Sequence, residues 1–253
     1  MPRYRLTIEY HGGRFYGFQR QDDRETVQGC LEKAFRAFTG GHVTVHCAGR
    51  TDAGVHASGQ VIHVDLSKPW EAWKVQNAIN HHIQPAAISV LHAAEVRPEF
   101  DARRHAICRA YRYRILNRRS PPAMQRGLVW HVPYSMDVAV MQEAAQHLVG
   151  HHDFTSFRAA GCQARSPMKT LDRLTVSRHG EEVWIEAEAR SFLYNQIRIF
   201  TGTLKKVGEG SWPLERVAEA LAARDREAAG PTAPPTGLCL TEVGYPPEAL
   251  VFP

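Results

Sequence analysis

No stretch of this chain approaches the roughly 18 consecutive apolar residues that a membrane-spanning helix needs. The opening residues, MPRYRLTIEY, go straight into an alternating strand pattern and lack the apolar core of a signal peptide, so the cytoplasm is the expected location. Cysteine is scarce. The five, Cys30, Cys47, Cys108, Cys162 and Cys239, are odd in number, widely spaced and never C-x-x-C, which argues against a disulfide framework or a zinc ribbon. There is no Gly-rich phosphate loop to bind a nucleotide cofactor. The 14 histidines include the adjacent pairs His81–His82 and His151–His152. Neighbours of that kind point apart on a strand and share no helix face, so no metal site is expected.

What is present is an ordinary soluble composition with an uneven charge. The 253 residues are 43% hydrophobic and 23% charged, enough for one large or two smaller domains with a real core. The net charge is +5. Between Ala102 and Met136 there are eight arginines and no acidic residue: Arg103, Arg104, Arg109, Arg112, Arg114, Arg118, Arg119 and Arg126. Tyr111 and Tyr113 lie among them. Guanidinium forks pair with phosphates and tyrosine faces stack on bases, so the stretch suits nucleic acid. The plainer reading is a solvated basic sheet face.

Hydrophobic spacing predicts strands over 4–10, 43–47, 60–66 and 88–96. Helices are predicted over 26–38 and over 70–80, the latter behind Pro69. This β-α-β-β-α-β order is the ferredoxin-like split pattern. The second part repeats the order with insertions. Strands fall at 107–116, 171–177, 183–189 and 238–243, with a hairpin around His179–Gly180. Helices fall at 136–149, 192–207 and 214–223, the last opened by Pro213. Gly230–Gly237 (GPTAPPTG) reads as a rigid connector. The expected fold is therefore α+β: two domains, 1–104 and 105–253, with mostly antiparallel sheets flanking a central active-site cleft.

One nonapeptide stands out, Gly49–Ala57, GRTDAGVHA. It holds a single carboxylate, Asp52, on a loop between two apolar stretches. Gly49, Gly54 and Gly59 are expected to let the backbone turn so that the carboxylate projects. A lone Asp in such a loop is ordinarily a turn residue. The whole nonapeptide, however, resembles the active-site loop of the TruA family of tRNA pseudouridine synthases. The resemblance covers most of the chain. It includes Tyr10-His-Gly-Gly with Gly17-Phe-Gln-Arg-Gln21, Thr26-Val-Gln-Gly29 and Gly59-Gln-Val-Ile-His63. It continues in Phe100-Asp-Ala-Arg103, Arg109-Ala-Tyr-Arg-Tyr113, His152 to Phe157, Phe192 to Leu204 and Ala229 to Leu240. His11, Asp101, Gln196 and Cys239 depart from the usual aspartate, histidine, methionine and tyrosine.

The resemblance implies an enzyme that isomerises uridine to pseudouridine at positions 38, 39 and/or 40 of the tRNA anticodon arm, without metal or cofactor. Asp52 is then the catalytic carboxylate. Tyr111 resembles the active-site tyrosine, a stacking ring with a hydroxyl for proton transfer. Arg198 resembles the arginine that pairs with the aspartate and keeps it ionised. On spacing alone Arg198 reads as a solvated helix-face residue. Arg50, Arg118 and Arg119 are candidate RNA contacts. The partners implied are tRNA and a second copy of the chain in a homodimer. Two other readings are a noncatalytic tRNA-binding protein, which uses the same basic stretch, and a metal-dependent hydrolase built on the histidines.

Overall fold

The structure is a computed structural model and describes residues 1–250. The fold is mixed α+β with mostly antiparallel strand pairing. The chain divides into two compact units. One is Met1–Arg109 together with residues 239–250; the other is Ala110–Leu238.

In the first unit β1 (Arg3–Tyr10) is central. It pairs antiparallel with β3 (His56–Asp65) on one side and β4 (Ile88–Val96) on the other. Its alternate residues Tyr4, Leu6, Ile8 and Tyr10 are buried, as period-two alternation requires of a half-covered sheet. The short β2 (His46–Cys47) pairs antiparallel with β3, with His46 opposite His63. Helix α1 (Val27–Thr39) starts where Thr26 Oγ1 caps the Gly29 amide and stops at Gly40, whose φ of 74° only glycine adopts cheaply. Helix α2 (Ala72–His82) packs on α1 and β4. Leu31, Phe35, Val75 and Ile79 are fully buried from the two helices.

In the second unit β5 (Cys108–Leu116), which begins in the last residues of the first, lies beside β10 (Glu182–Ala189). Strand β10 in turn pairs antiparallel with β9 (Arg173–His179) across the two-residue turn Gly180–Glu181. The short β6 (Trp130–His131) runs parallel to β5, and β7 (Gly150–Asp153) pairs with β8 (Met168–Leu171). Helix α3 (Val138–Gln146) is capped by Asp137 and packs on β9 and on α4 (Gln196–Gly208). Helix α5 (Arg216–Ala223) follows. Phe154 and Phe157 close on Phe200 of α4, with ring centroids 5.6 and 5.1 Å away.

Several sequence expectations change. The strand expected over 43–47 shrinks to two residues because side chains of α1 satisfy its backbone. Glu32 accepts from the Val45 amide and Gln28 donates to the Val45 carbonyl, both at 3.2 Å. Pro69 does not open α2, since the Tyr4 hydroxyl holds both the amide and the carbonyl of Trp70 at 2.7 Å. Helix α4 begins four residues late because Asn195 takes a left-handed φ of 61°. Pro213 opens a turn before α5 rather than the helix itself. The closing strand β11 (Leu238–Gly244), expected in the second domain, joins the first unit and runs parallel to β3, Cys239 opposite His56. Among the described residues no helix is long and apolar enough to cross a membrane.

Candidate active site

The loop Ala48–Val55 between β2 and β3 carries Asp52, and its backbone is braced from every side. Thr51 is buried and its Oγ1 shares a hydrogen bond with the Tyr10 hydroxyl at 2.7 Å. Gln60 donates to the Gly49 carbonyl at 2.7 Å, and Phe18 donates its amide to the Thr51 carbonyl at 3.0 Å. The Asp52 carbonyl accepts from the Val55 amide at 3.1 Å, closing a turn around Gly54, whose φ is 81°. Gly17 lies against the same turn; a β-carbon there would sit 2.9 Å from the Thr51 carbonyl oxygen. Of the three glycines singled out in the sequence, only Gly54 supplies an unusual dihedral. Gly59 instead admits β11, since a β-carbon would come within 2.1 Å of the Thr241 carbonyl oxygen. Gly49 needs neither property. Asp52 itself is half-buried and has interactions of its own.

Arg109 anchors this loop from beneath. It is buried, and its Nη2 donates to the carbonyls of Ala48 at 2.7 Å and Arg103 at 2.9 Å. A buried guanidinium is stable only when its donors are met, so these carbonyls fix where the chain enters the loop. Arg109 stands in the arginine-rich stretch, but composition alone does not distinguish a buried brace from a surface cation.

Most of that stretch is committed to protein. Arg112 donates twice to Glu186 and sits over the Trp184 ring at 4.0 Å. Arg114 makes a bidentate pair with Glu182 at 2.7 and 2.8 Å. Arg118 pairs with Glu181 at 2.7 Å. Hydrogen bonds from Arg114 above all, with those of Trp184 and Gln125, pull the Glu182 carboxyl down to about 2 against burial. The acidic partners come from β10 and its turn, sixty and more residues along the chain. The basic sheet face suggested by the sequence is thus largely neutralised.

In the second unit Tyr111 and Tyr113 point to one face of β5. Tyr113 is buried and donates to the Pro234 carbonyl at 2.7 Å. Tyr111 is half-buried, with the Phe192 ring meeting it edge-on at 5.3 Å. Arg198, in the first turn of α4, is not on a solvated face. Its Nε donates to the Ala233 carbonyl and its Nη1 to Asn195 Oδ1, each at 2.7 Å. The connector Gly230–Gly237 packs directly on α4. A β-carbon on Gly202 would lie 1.7 Å from the Pro231 carbonyl oxygen, and Ala233 donates its amide to the Arg198 carbonyl at 3.0 Å. The proline-rich string hints at the connector, but nothing local to it signals that it orients Arg198.

Arg50 is exposed and, among the described residues, makes no ion pair or hydrogen bond. Arg119 is likewise exposed. Some histidines meet in pairs, His46 stacked on His63 at 4.8 Å and His11 edge-on to His56 at 4.6 Å. His151 meets Thr170 and His152 meets the Val149 carbonyl, and no group of three or more His, Cys, Asp or Glu among the described residues is arranged to hold a metal ion.

The family model for tRNA pseudouridine synthase matches residues 6–103 and 144–246, most of the chain and both units. The chain belongs to the tRNA pseudouridine synthase family. Curated relatives extend the match to full length. The tRNA pseudouridine synthase A of Sinorhizobium fredii is 56% identical over 97% of this chain and 100% of its own length. That of Methylobacterium nodulans is 54% identical over the whole of both chains, and that of a Caulobacter species 56% identical over 98% of this chain and 100% of its own. Members of this family are isomerases, and the expected reaction class is therefore this chain's own.

Proposed function

We propose that this protein converts uridine to pseudouridine at positions 38, 39 and/or 40 of the tRNA anticodon arm, with Asp52 as the catalytic carboxylate. The observation that carries the reading is full-length similarity to proteins named tRNA pseudouridine synthase A, in a chain whose signature loop holds one carboxylate on a backbone fixed by buried hydrogen bonds. In the reaction the N1–C1′ bond breaks and a C5–C1′ bond forms. C5 loses a hydrogen and N1 gains one, so substrate and product have the same atoms and electrons.

Tyr111 is proposed to stack on the extruded base and to move a proton, and Arg198 to favour the ionised form of Asp52. Arg50, Arg118 and Arg119 are proposed as RNA contacts, Arg118 by exchanging Glu181 for a phosphate. The β-α-β-β-α-β order of the first unit, with β1 between β3 and β4, supports the ferredoxin-like reading of the fold. Homodimerisation and a cytoplasmic location belong to the same proposal.

The test is pseudouridine mapping on unmodified tRNA with purified protein. Asp52→Asn is expected to abolish product while tRNA affinity stays within a few-fold. Near-normal turnover by Asp52→Asn would overturn the assignment. Binding of tRNA by the unaltered protein with no pseudouridine formed would favour the noncatalytic reading.

A further inference from the structure

Helix α4 begins on a residue with left-handed backbone. Asn195, which flanks its start, has φ 61° and ψ 8°. The other non-glycine with positive φ among the described residues is Arg224, which ends α5. A left-handed residue is ordinary at the end of a helix; at the start the flanking residue is normally extended. Asparagine tolerates the conformation better than most side chains, but it still costs free energy.

The helix itself does not use the side chain. An asparagine in this place ordinarily accepts from a backbone amide of the first turn. Asn195 makes no such capping bond. Its Oδ1 instead accepts from Nη1 of the Arg198 side chain at 2.7 Å. The turn is tied by other groups. Gln196 Oε1 accepts from the Leu193 amide at 2.8 Å, and the Gln196 amide donates to the Leu193 carbonyl at 3.1 Å. The Ala159 amide donates to the Tyr194 carbonyl, also at 3.1 Å. A glycine would make the same turn without strain, so the carboxamide of Asn195 adds only the bond to Arg198. That bond completes a grip on two nitrogens, since Nε donates to the Ala233 carbonyl at 2.7 Å. A guanidinium is planar, so two fixed nitrogens set the direction of the third, Nη2.

We infer that Asn195 is a positioning residue for the reaction: its side-chain oxygen fixes the orientation in which Arg198 presents Nη2 to the catalytic carboxylate. This rests on the role proposed for Arg198 above. The experiment measures single-turnover rate at saturating unmodified tRNA, tRNA affinity and thermal midpoint for the full-length protein. The variants are Asn195→Gly, Arg198→Met and the two combined. Asn195→Gly keeps the left-handed backbone and removes the oxygen, so its thermal midpoint is expected to match the parent's. Its rate is expected to fall on the order of 10- to 100-fold, as for a misplaced catalytic group, with affinity within about twofold. In the Arg198→Met background the same substitution is expected to change the rate by less than about twofold, because it acts through the guanidinium.

A parent-like rate in Asn195→Gly, or an equal further fall in the Arg198→Met background, would overturn the inference. So would a loss of affinity as large as the loss of rate, which would make Asn195 a contact for the RNA. A collapsed thermal midpoint in Asn195→Gly would also overturn it, by showing that the carboxamide builds the helix start. If Arg198→Met is slow and Asn195→Gly is not, the positioning role fails and that of Arg198 stands. If Arg198→Met keeps the parent's rate, the role of Arg198 fails and this inference falls with it.

Discussion

The two acid-free stretches of this chain, Ala102–Met136 and Phe154–Leu171, look alike on paper and differ in the fold. In the first, Arg112, Arg114 and Arg118 each meet a glutamate of β10 or its turn, and Arg109 is spent on backbone carbonyls. In the second, none of the three cations, Arg158, Arg165 and Lys169, has such a partner among the described residues. The density of charge along a sequence therefore does not measure charge on offer to a ligand. What counts is whether a distant strand returns with the opposite sign, and β10 does so for one stretch alone.

The comparison is most readily broken at Arg109. Replacing it by Met leaves the carbonyls of Ala48 and Arg103 without their donor inside the first unit. A loss of about 3 kcal/mol is expected, with pseudouridine formation falling further than tRNA affinity. Denaturant titration and single-turnover kinetics check both. An Arg109→Met protein as stable as its parent would show that the first stretch is less committed than its geometry indicates.

An intermediate effect is expected at Glu182. Its folded pKa is depressed, to about 2 from an ordinary 4.5, chiefly by the Arg114 hydrogen bonds. A depressed carboxylate contributes stability that is present above its unfolded pKa and lost as pH falls toward its folded one. The stability gap between the protein and Glu182→Gln should thus be full above pH 4.5 and shrink between there and about pH 2. Thermal melts across that range measure it, and a gap independent of pH would remove the ion pair from the account.

The smallest effect is expected from neutralising Arg118 together with Arg119. Because Arg118 must leave Glu181 to meet a phosphate, the salt slope of tRNA binding should drop by roughly 0.7–0.9 for each of the two contacts. A drop of one contact's worth would mean that Arg118 stays with Glu181, and would sharpen the contrast between the stretches.

How much was legible in advance follows the same logic. Local signals were readable. Thr26 capping α1, the alternation of β1 and the turn before β10 are set by residues within a few positions of one another. Asp52 stands out in the sequence only because its whole nonapeptide has a family likeness; the braces of its loop, Tyr10, Gln60, Gly17 and Arg109, come from elsewhere in the chain. On spacing alone Arg198 reads as a surface residue, because helical spacing counts apolar neighbours on the same helix. It has no way to see a connector thirty-five residues on. The second stretch differs because, among the described residues, no acidic side chain forms an ion pair with its cations.

The clasp on Arg198 has a kinetic consequence. An arginine side chain carries about 2 kcal/mol of rotamer entropy. Here Ala233 and Asn195 take up much of that freedom as the chain folds. The guanidinium's aim is therefore set during folding, so the role proposed for Arg198 needs no fresh conformational search at each encounter with substrate.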